Sequence, residues 1–317
     1  MAQACLGDRA ALICGSVAYD TILQFPDRFK SHILPDKIHI LNVSFLVPEM
    51  RREYGGCAAN IAYGLRLLGD RGVPMATAGI DFAPYRARMA EQGIAIDHIK
   101  VIDGTFTAQA FITTDLDDNQ ITAFHPGAMQ QAHLNKVSDA ARGGVALGIV
   151  APDGRQAMIE HAAQFAAANI PFIFDPGQGM PLFAGDDLKT FIAQARWVTV
   201  NDYEWGLLQQ KTGLTISDVV AQVEALVVTR GAEGSTIYTK ERTLTVPCAK
   251  PRAVVDPTGC GDAYRAGLIH GLLRGLDWAV TGRVASLMGA IKIESRGPQN
   301  HSFTQDEFDR RYDENFG

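Results

Sequence analysis

No long apolar run interrupts the 317 residues, and none approaches the roughly 20 residues that a membrane span needs. A basic leader is missing too: Met1–Ala10 carries no positive stretch followed by an apolar core, so no secretory signal is expected. Positive charge is in short supply, with 29 Lys and Arg against 35 Asp and Glu and a net charge of −6. That balance is unlike the basic surface of a nucleic-acid binder. Cysteine is scarce and scattered. Five residues (Cys5, Cys14, Cys57, Cys248, Cys260), odd in number and without a Cys-x-x-Cys pair, exclude a disulfide framework or a zinc ribbon. The histidines form no His-Glu-x-x-His arrangement. Internal repeats and low-complexity linkers are also missing. The expectation is a soluble, cytoplasmic protein without nucleic-acid or membrane partners, long enough for one large domain with an appendage.

What is present is a rhythm. Ala11–Cys14, Val145–Val150, Pro171–Phe174, Trp197–Val200 and Leu226–Thr229 are short apolar, β-branched runs that predict fully buried strands. Ala157–Asn169 and Asp186–Arg196 between them predict amphipathic helices. Such alternation predicts an α/β fold with a mainly parallel sheet between helical layers. Ser16–Pro48 and Thr105–His125 break the rhythm with alternating patterns (Ala110–Thr113, Gln120–Phe124) and a turn signal at Asp117-Asp118-Asn119. They predict a small antiparallel sheet outside the main body, a lid over a site at the carboxyl edge of the large sheet, or else an extension of that sheet. The boundaries expected are 1–15, 49–104 and 126–317 for the main domain and 16–48 with 105–125 for the lid.

The strongest local signal is Val254-Val255-Asp256-Pro257-Thr258-Gly259-Cys260-Gly261-Asp262-Ala263-Tyr264-Arg265-Ala266-Gly267. It reads as a strand end, a Gly-x-Gly turn and a helix over Ala263–Leu273. Glycines 259 and 261 let a ligand approach the backbone, and amides at a helix start are unpaired and partly positive, so the segment predicts an anion site. Asp262 on the first turn reads equally as a helix cap or as a general base beside that anion. The loop fails the dinucleotide fingerprint because Tyr264 stands where a third glycine belongs, and Gly206–Thr212 fails the P-loop spacing.

The string Asp256-x-Thr258-Gly259-x-Gly261-Asp262 resembles the C-terminal signature of the ribokinase-like carbohydrate kinases, the PfkB family. Gly55-Gly56-x-Ala58-x-Asn60 is similar to its N-terminal glycine pair, Asn201-Asp202-Tyr203-Glu204 to its Asn-x-x-Glu element, and Thr229-Arg230-Gly231 with Gly234 to its nucleotide loop. With Asp20 these span residues 20–262 in the family's order. The resemblance implies a ribokinase-like three-layer fold with a β-sheet lid and transfer of the ATP γ-phosphate to a hydroxyl. It implies Asp262 as the base and the amides of Gly259, Cys260 and Gly261 as the anion hole. Asn201, Thr229, Gly231 and Gly234 would then line ATP, and Glu204 would organise Mg²⁺ through water. Asp20, Gly55, Gly56 and Asn60 would grip the acceptor's hydroxyls, and Asp256 with Thr258 would bind a monovalent cation such as K⁺. Cys260 replaces the usual alanine; its thiol reads either as reactive or as a small inert filler.

Within the family, Ile121–Met129, Asp175–Gly179 and Phe45–Pro48 resemble bacterial and archaeal adenosine or nucleoside kinases. A nucleobase needs an apolar platform. Phe45, Phe106 and Phe124 could supply it or simply be lid core, and Gln178 could meet a base edge or cap a helix. Three readings stay open: a kinase acting on the 5′-hydroxyl of adenosine or a related nucleoside, a ribokinase- or fructokinase-like sugar kinase, and a non-catalytic nucleotide-binding protein. The resemblance admits a monomer or a homodimer joined through the lid.

Overall fold

The protein is described from a computed structural model covering residues 10–33, 39–40, 42–117, 119–142 and 144–317; Cys5 and the middle of the expected turn, Asp118, lie outside them. The strands are β1 (Ala10–Cys14), β2 (Ala18–Gln24), β3 (Glu49–Gly55), β4 (Arg71–Ala78), β5 (Ile99–Val101), β6 (Ala108–Thr114), β7 (Gln120–His125), β8 (Val145–Val150), β9 (Phe172–Phe174), β10 (Trp197–Asn201), β11 (Ala225–Thr229), β12 (Ser235–Thr239) and β13 (Thr243–Val246). Nine form one sheet in the order β13-β12-β11-β10-β9-β8-β1-β4-β5. It is parallel from β11 to β5, and β12 and β13 add an antiparallel margin.

The period of two along each strand explains why helices cover both faces. In β1, Ala11 and Ile13 enter one core with Ile61 and Leu65 of the helix Cys57–Leu67 and Leu268 of the helix Cys260–Arg274. Ala10, Leu12 and Cys14 enter the other, against Met158 of Arg155–Ala167 and Leu188 of Gly185–Gln194. Each buried aliphatic chain contributes about 1.5–3 kcal/mol. An exposed ion pair such as Arg28–Asp117, 2.7 Å apart, contributes about 0–1 kcal/mol. The two cores therefore hold the fold. The expected strands and helices of this region are found, with ends shifted by a residue or two.

A second sheet of four strands runs β3-β2-β6-β7. It differs from the expectation in taking in Glu49–Gly55, which pairs antiparallel with β2 and had been assigned to the main body. That strand is mostly charged, and only the pairing to β2, not an apolar alternation, makes it a strand. Val254 and Val255, expected as a strand end, are instead exposed irregular chain; the amides of Val255 and Asp256 donate to Ile293 O at 2.9 and 3.1 Å. The β6–β7 turn is anchored by Asp115, whose Oδ1 accepts from the amides of Asp117 and Asn119, each at 2.9 Å.

Candidate active site

The helix Cys260–Arg274 opens at Gly259, whose φ of 81° suits only glycine and whose missing Cβ leaves room for Pro298. The Cys260 amide donates to Pro257 O at 3.1 Å. The amides of Gly259, Gly261 and Asp262 have no protein acceptor among the described residues. Three unpaired donors at the positive end of a fifteen-residue helix suit an anion.

Asp262 stands on that first turn and does not act as a side-chain cap. Its Oδ2 accepts from Asn60 Nδ2 at 2.8 Å. Burial pushes its pKa up to about 6; the Asn60 bond opposes this, the Asp175 charge adds to it, and Arg265 opposes again. Asn60 comes from the helix Cys57–Leu67, which starts at Gly56. With φ at 93° and a Cβ that would strike Ser16 O and Ala18 N, Gly56 lets the helix begin against the β1–β2 turn. Asn60 is itself held: Gln299 Nε2 donates to its Oδ1 at 2.8 Å and to Tyr85 Oη at 2.6 Å, and Tyr85 Oη donates to Gly55 O at 2.7 Å.

Behind Asp262, Arg265 makes a bidentate pair with Asp175 at 2.9 and 3.0 Å, both side chains buried. Held by Asp175, the guanidinium acts as a fixed positive charge near Asp262 and Glu204. Glu204 and Asn201 form a capping box where β10 ends: Asn201 Oδ1 accepts from the Glu204 amide at 2.7 Å, and Glu204 Oε2 accepts from the Asn201 amide at 2.8 Å. Glu204 Oε1 has no protein donor among the described residues. Burial and then Asp175 raise the Glu204 pKa. Asn201 pairs in register with Thr229 at the end of β11. The turn that follows places Gly231 at φ 52° and Gly234 at φ 85°. Four of the expected nucleotide residues thus share one sheet edge, where ligands bind in parallel α/β sheets.

The small sheet adds a row of its own. Cross-strand register puts Glu53, Asp20, Ala110 and Phe124 opposite one another on β3, β2, β6 and β7, so their side chains share a face. Glu53 Oε2 on that face accepts from Asn300 Nδ2 at 3.0 Å, which ties the face to the segment carrying Gln299. Burial first, then the charges of Glu53 and Asp256, push the Asp20 pKa up to about 6. Gly55 lies flat beside it, since a Cβ there would sit 2.6 Å from Asp20 Oδ2. Phe124 is 48% exposed in this row and Phe106 54% exposed before β6. Phe45 is different: it packs against Phe25 and Phe29 with ring centroids 4.7 and 5.1 Å away, so it belongs to the small sheet's own packing. Gln178 is exposed on the turn after β9 and caps no helix.

Asp256 is buried below the Gly-x-Gly turn. Its Oδ1 accepts from the Thr258 amide at 2.9 Å, its Oδ2 from the Gly297 amide at 2.8 Å and its carbonyl from Lys292 Nζ at 2.7 Å. Cys260, beside it, is half-buried; burial pushes its thiol up to about 11 although Lys292 pulls the other way. A reactive thiolate is not supported; the inert filler is. Sequence reasoning missed Gln299, Lys292 and Tyr85. Gln299 lies 239 residues from Asn60 and no short motif joins them.

The comparisons with known proteins agree with this fold. The model of the pfkB family carbohydrate kinases matches residues 30–305. A nucleoside kinase of Methanocaldococcus jannaschii is 32% identical over 267 residues, 84% of this chain and 87% of its own. The structure of Burkholderia thailandensis nucleoside kinase in complex with inosine superposes with a TM-score of 0.88 at 50% identity, covering 97% of this chain and 98% of that one. A second structure of that kinase, in complex with ADP-inosine, gives 0.86 at 51% identity over 97% and 96% of the two chains. A family model and a relative that each cover most of the chain place it plainly: it belongs to the pfkB family of carbohydrate kinases.

Proposed function

We propose that this kinase transfers the γ-phosphate of ATP to the 5′-hydroxyl of adenosine or a related nucleoside, giving the nucleoside monophosphate and ADP. One observation carries the chemistry: a carboxylate raised to about 6 and oriented by Asn60 stands beside three unpaired helix amides. In this reading Asp262 takes the hydroxyl proton, and the amides of Gly259, Gly261 and Asp262 stabilise the charge that builds on the transferring group. Cys260 shares in this only by giving up its bond to Pro257. Thr229, Gly231, Gly234 and Asn201 line ATP. Among the described residues no group of three or more His, Cys, Asp or Glu is placed to hold a metal. Mg²⁺, which keeps most of its water, suits a single carboxylate such as Glu204 plus the phosphates, and would supply charge neutralisation.

The acceptor follows from the small sheet. Two strand spacings separate Asp20 from Phe124, about 10 Å. A nucleoside spans that distance with its ribose hydroxyls on Asp20, Gly56 and Asn60 and its base on Phe124; a free pentose does not. The small sheet thus serves as the lid, Gln178 meets the edge of the base, and the relatives that are nucleoside kinases support the choice. No helix among the described residues is long and apolar enough to cross a membrane, and the reading takes the enzyme as cytoplasmic, a monomer or a homodimer joined through the lid. The test is ATP consumption with Mg²⁺ on adenosine, inosine, cytidine, ribose and fructose, with Asp262→Asn as the blank. Turnover sensitive to the mutation is expected on the purine nucleosides. Turnover on ribose or fructose alone would overturn the nucleoside assignment and keep the mechanism.

A further inference from the structure

We propose that Lys292 is a built-in monovalent cation: its ammonium occupies the position under the phosphate-facing loop that resemblance assigned to K⁺, and the enzyme needs no such ion. Lys292 ends the helix Trp278–Lys292 and is 0% exposed. A lysine without solvent contact is costly unless its charge is met by good acceptors. Here Nζ donates to Asp256 O at 2.7 Å and to Ser295 O at 3.1 Å. Main-chain carbonyls converging beside a carboxylate are what a desolvated monovalent cation takes, and an ammonium brings the same charge in a similar size.

The rest of Asp256 does not fit an ion. Both its carboxylate oxygens are engaged by amides and its carbonyl by the lysine, and the Thr258 side chain hydrogen-bonds to it as well. The groups that feel the ammonium are Cys260, Asp256, Glu53 and His301. The first three belong to, or touch, the phosphate loop or the face of the small sheet that carries Asp20; His301 is buried two residues after Gln299. Lys292 thereby pins the loop from below at the carbonyl of Asp256, while Ile293 O, one residue on, pins the amides of Val255 and Asp256. Asp256 is thus clamped at both its amide and its carbonyl, just before the turn that carries the free amides. A fixed positive charge beneath the loop also adds to those of the helix amides and Arg265.

This rests on the kinase reading, and the experiment separates the two. The wild-type enzyme and the Lys292→Ala and Lys292→Met variants are assayed with choline as the sole monovalent cation, then with K⁺ or NH₄⁺ at equal ionic strength. Thermal unfolding is followed in the same buffers without substrate. For the wild type, kcat should change by less than about twofold and Tm should not respond to K⁺ beyond choline. Lys292→Ala, which leaves a space, should lose about tenfold or more in kcat, regain most of it in K⁺ or NH₄⁺, and gain Tm with K⁺. Lys292→Met, which fills the space without charge, should lose activity and regain none. Stimulation of the wild type by K⁺, a K⁺-specific rise in its Tm, or Lys292→Ala fully active in choline would each overturn the proposal. So would failure of every cation to restore a folded Lys292→Ala. If neither variant folds, the two wild-type measurements decide. Should no acceptor be phosphorylated at all, the kinase reading fails while the unfolding data still report on the lysine.

Discussion

At the carboxyl end of the large sheet the polar groups are held by backbone and buried charge. Asp256 binds two amides, Lys292 binds two carbonyls, Glu204 and Asn201 close a capping box, and Arg265 is locked to Asp175. On the small sheet the corresponding groups are side chains displayed on one face, Glu53, Asp20 and Phe124, set by cross-strand register and, at Glu53, by Asn300, and in part open to solvent. Phosphoryl transfer needs the same charge pattern for every acceptor, so rigidity is useful there. Acceptor choice needs surface that can differ without disturbing the chemistry. The two halves meet at one short chain of bonds, Asp262–Asn60–Gln299–Tyr85–Gly55, which runs from the phosphate loop to the end of β3. Gln299 is 1% exposed at its centre, so a movement of the small sheet at Gly55 is coupled mechanically to the orientation of Asn60.

The largest effect that tests this division is at Asp262. Asp262→Asn keeps the shape and the Asn60 neighbour but cannot take a proton, so kcat should fall by about 10²–10⁴, with ATP affinity and Tm close to wild type. Near-normal turnover would move the base out of the rigid half and break the comparison at its centre.

Asn60→Ala, at the junction, comes next. A hydrogen bond to a charged group is worth about 1.5–3 kcal/mol, so kcat/KM should fall roughly ten- to hundredfold. The pH profile gives a sharper readout. The base works as its carboxylate, so wild-type activity should be lost as pH falls through about 6, the value to which burial raises Asp262. The Asn60 bond opposes that rise, so its removal should shift the acid limb to higher pH. An acid limb that stays in place would mean the bond does not favour the charged base.

Phe124→Ala tests the displayed half alone. Stacking of this kind is worth about 0.5–1.5 kcal/mol, so KM for the best nucleoside should rise about two- to tenfold with kcat and ribose turnover unaffected. Equal losses on nucleoside and ribose would return the ring to the packing of the small sheet.

How much of this was legible beforehand follows the same division. The phosphate half was written in contiguous strings: Gly259, Gly261 and Asp262 within four residues, Asn201 and Glu204 one helical turn apart, Thr229 to Gly234 in a single loop. The parallel strands announced themselves because burial on both faces leaves unbroken apolar runs. β3 did not, since Glu49–Gly55 is charged and stands as a strand only through β2. The Val254–Val255 pair misled for the converse reason: β-branched residues suggest a strand, but among the described residues no partner strand pairs with them. Lys292 and Gln299 were invisible because their partners are backbone carbonyls or side chains more than two hundred residues away. Only folding makes those pairs.

The smallest expected effect is at Cys260, and it asks whether the rigid half depends on backbone alone at that position. The thiol is pushed up to about 11 by burial, so at neutral pH little thiolate is present to react. Its Sγ lies 4.0 Å from Asp256 O, at the outer limit of a weak contact. Cys260→Ala removes that contact and nothing else the turn needs, so kcat should stay within about twofold and stability within about 0.5 kcal/mol. Iodoacetamide should label Cys260, read by peptide mapping apart from the exposed Cys248, slowly at neutral pH and faster only as pH climbs toward the thiol's own value. Rapid labelling at pH 7 with loss of turnover would show that the sulfur, and not only the amides around it, faces the phosphate-binding space; the phosphate half would then owe part of its chemistry to a side chain, as the acceptor half does.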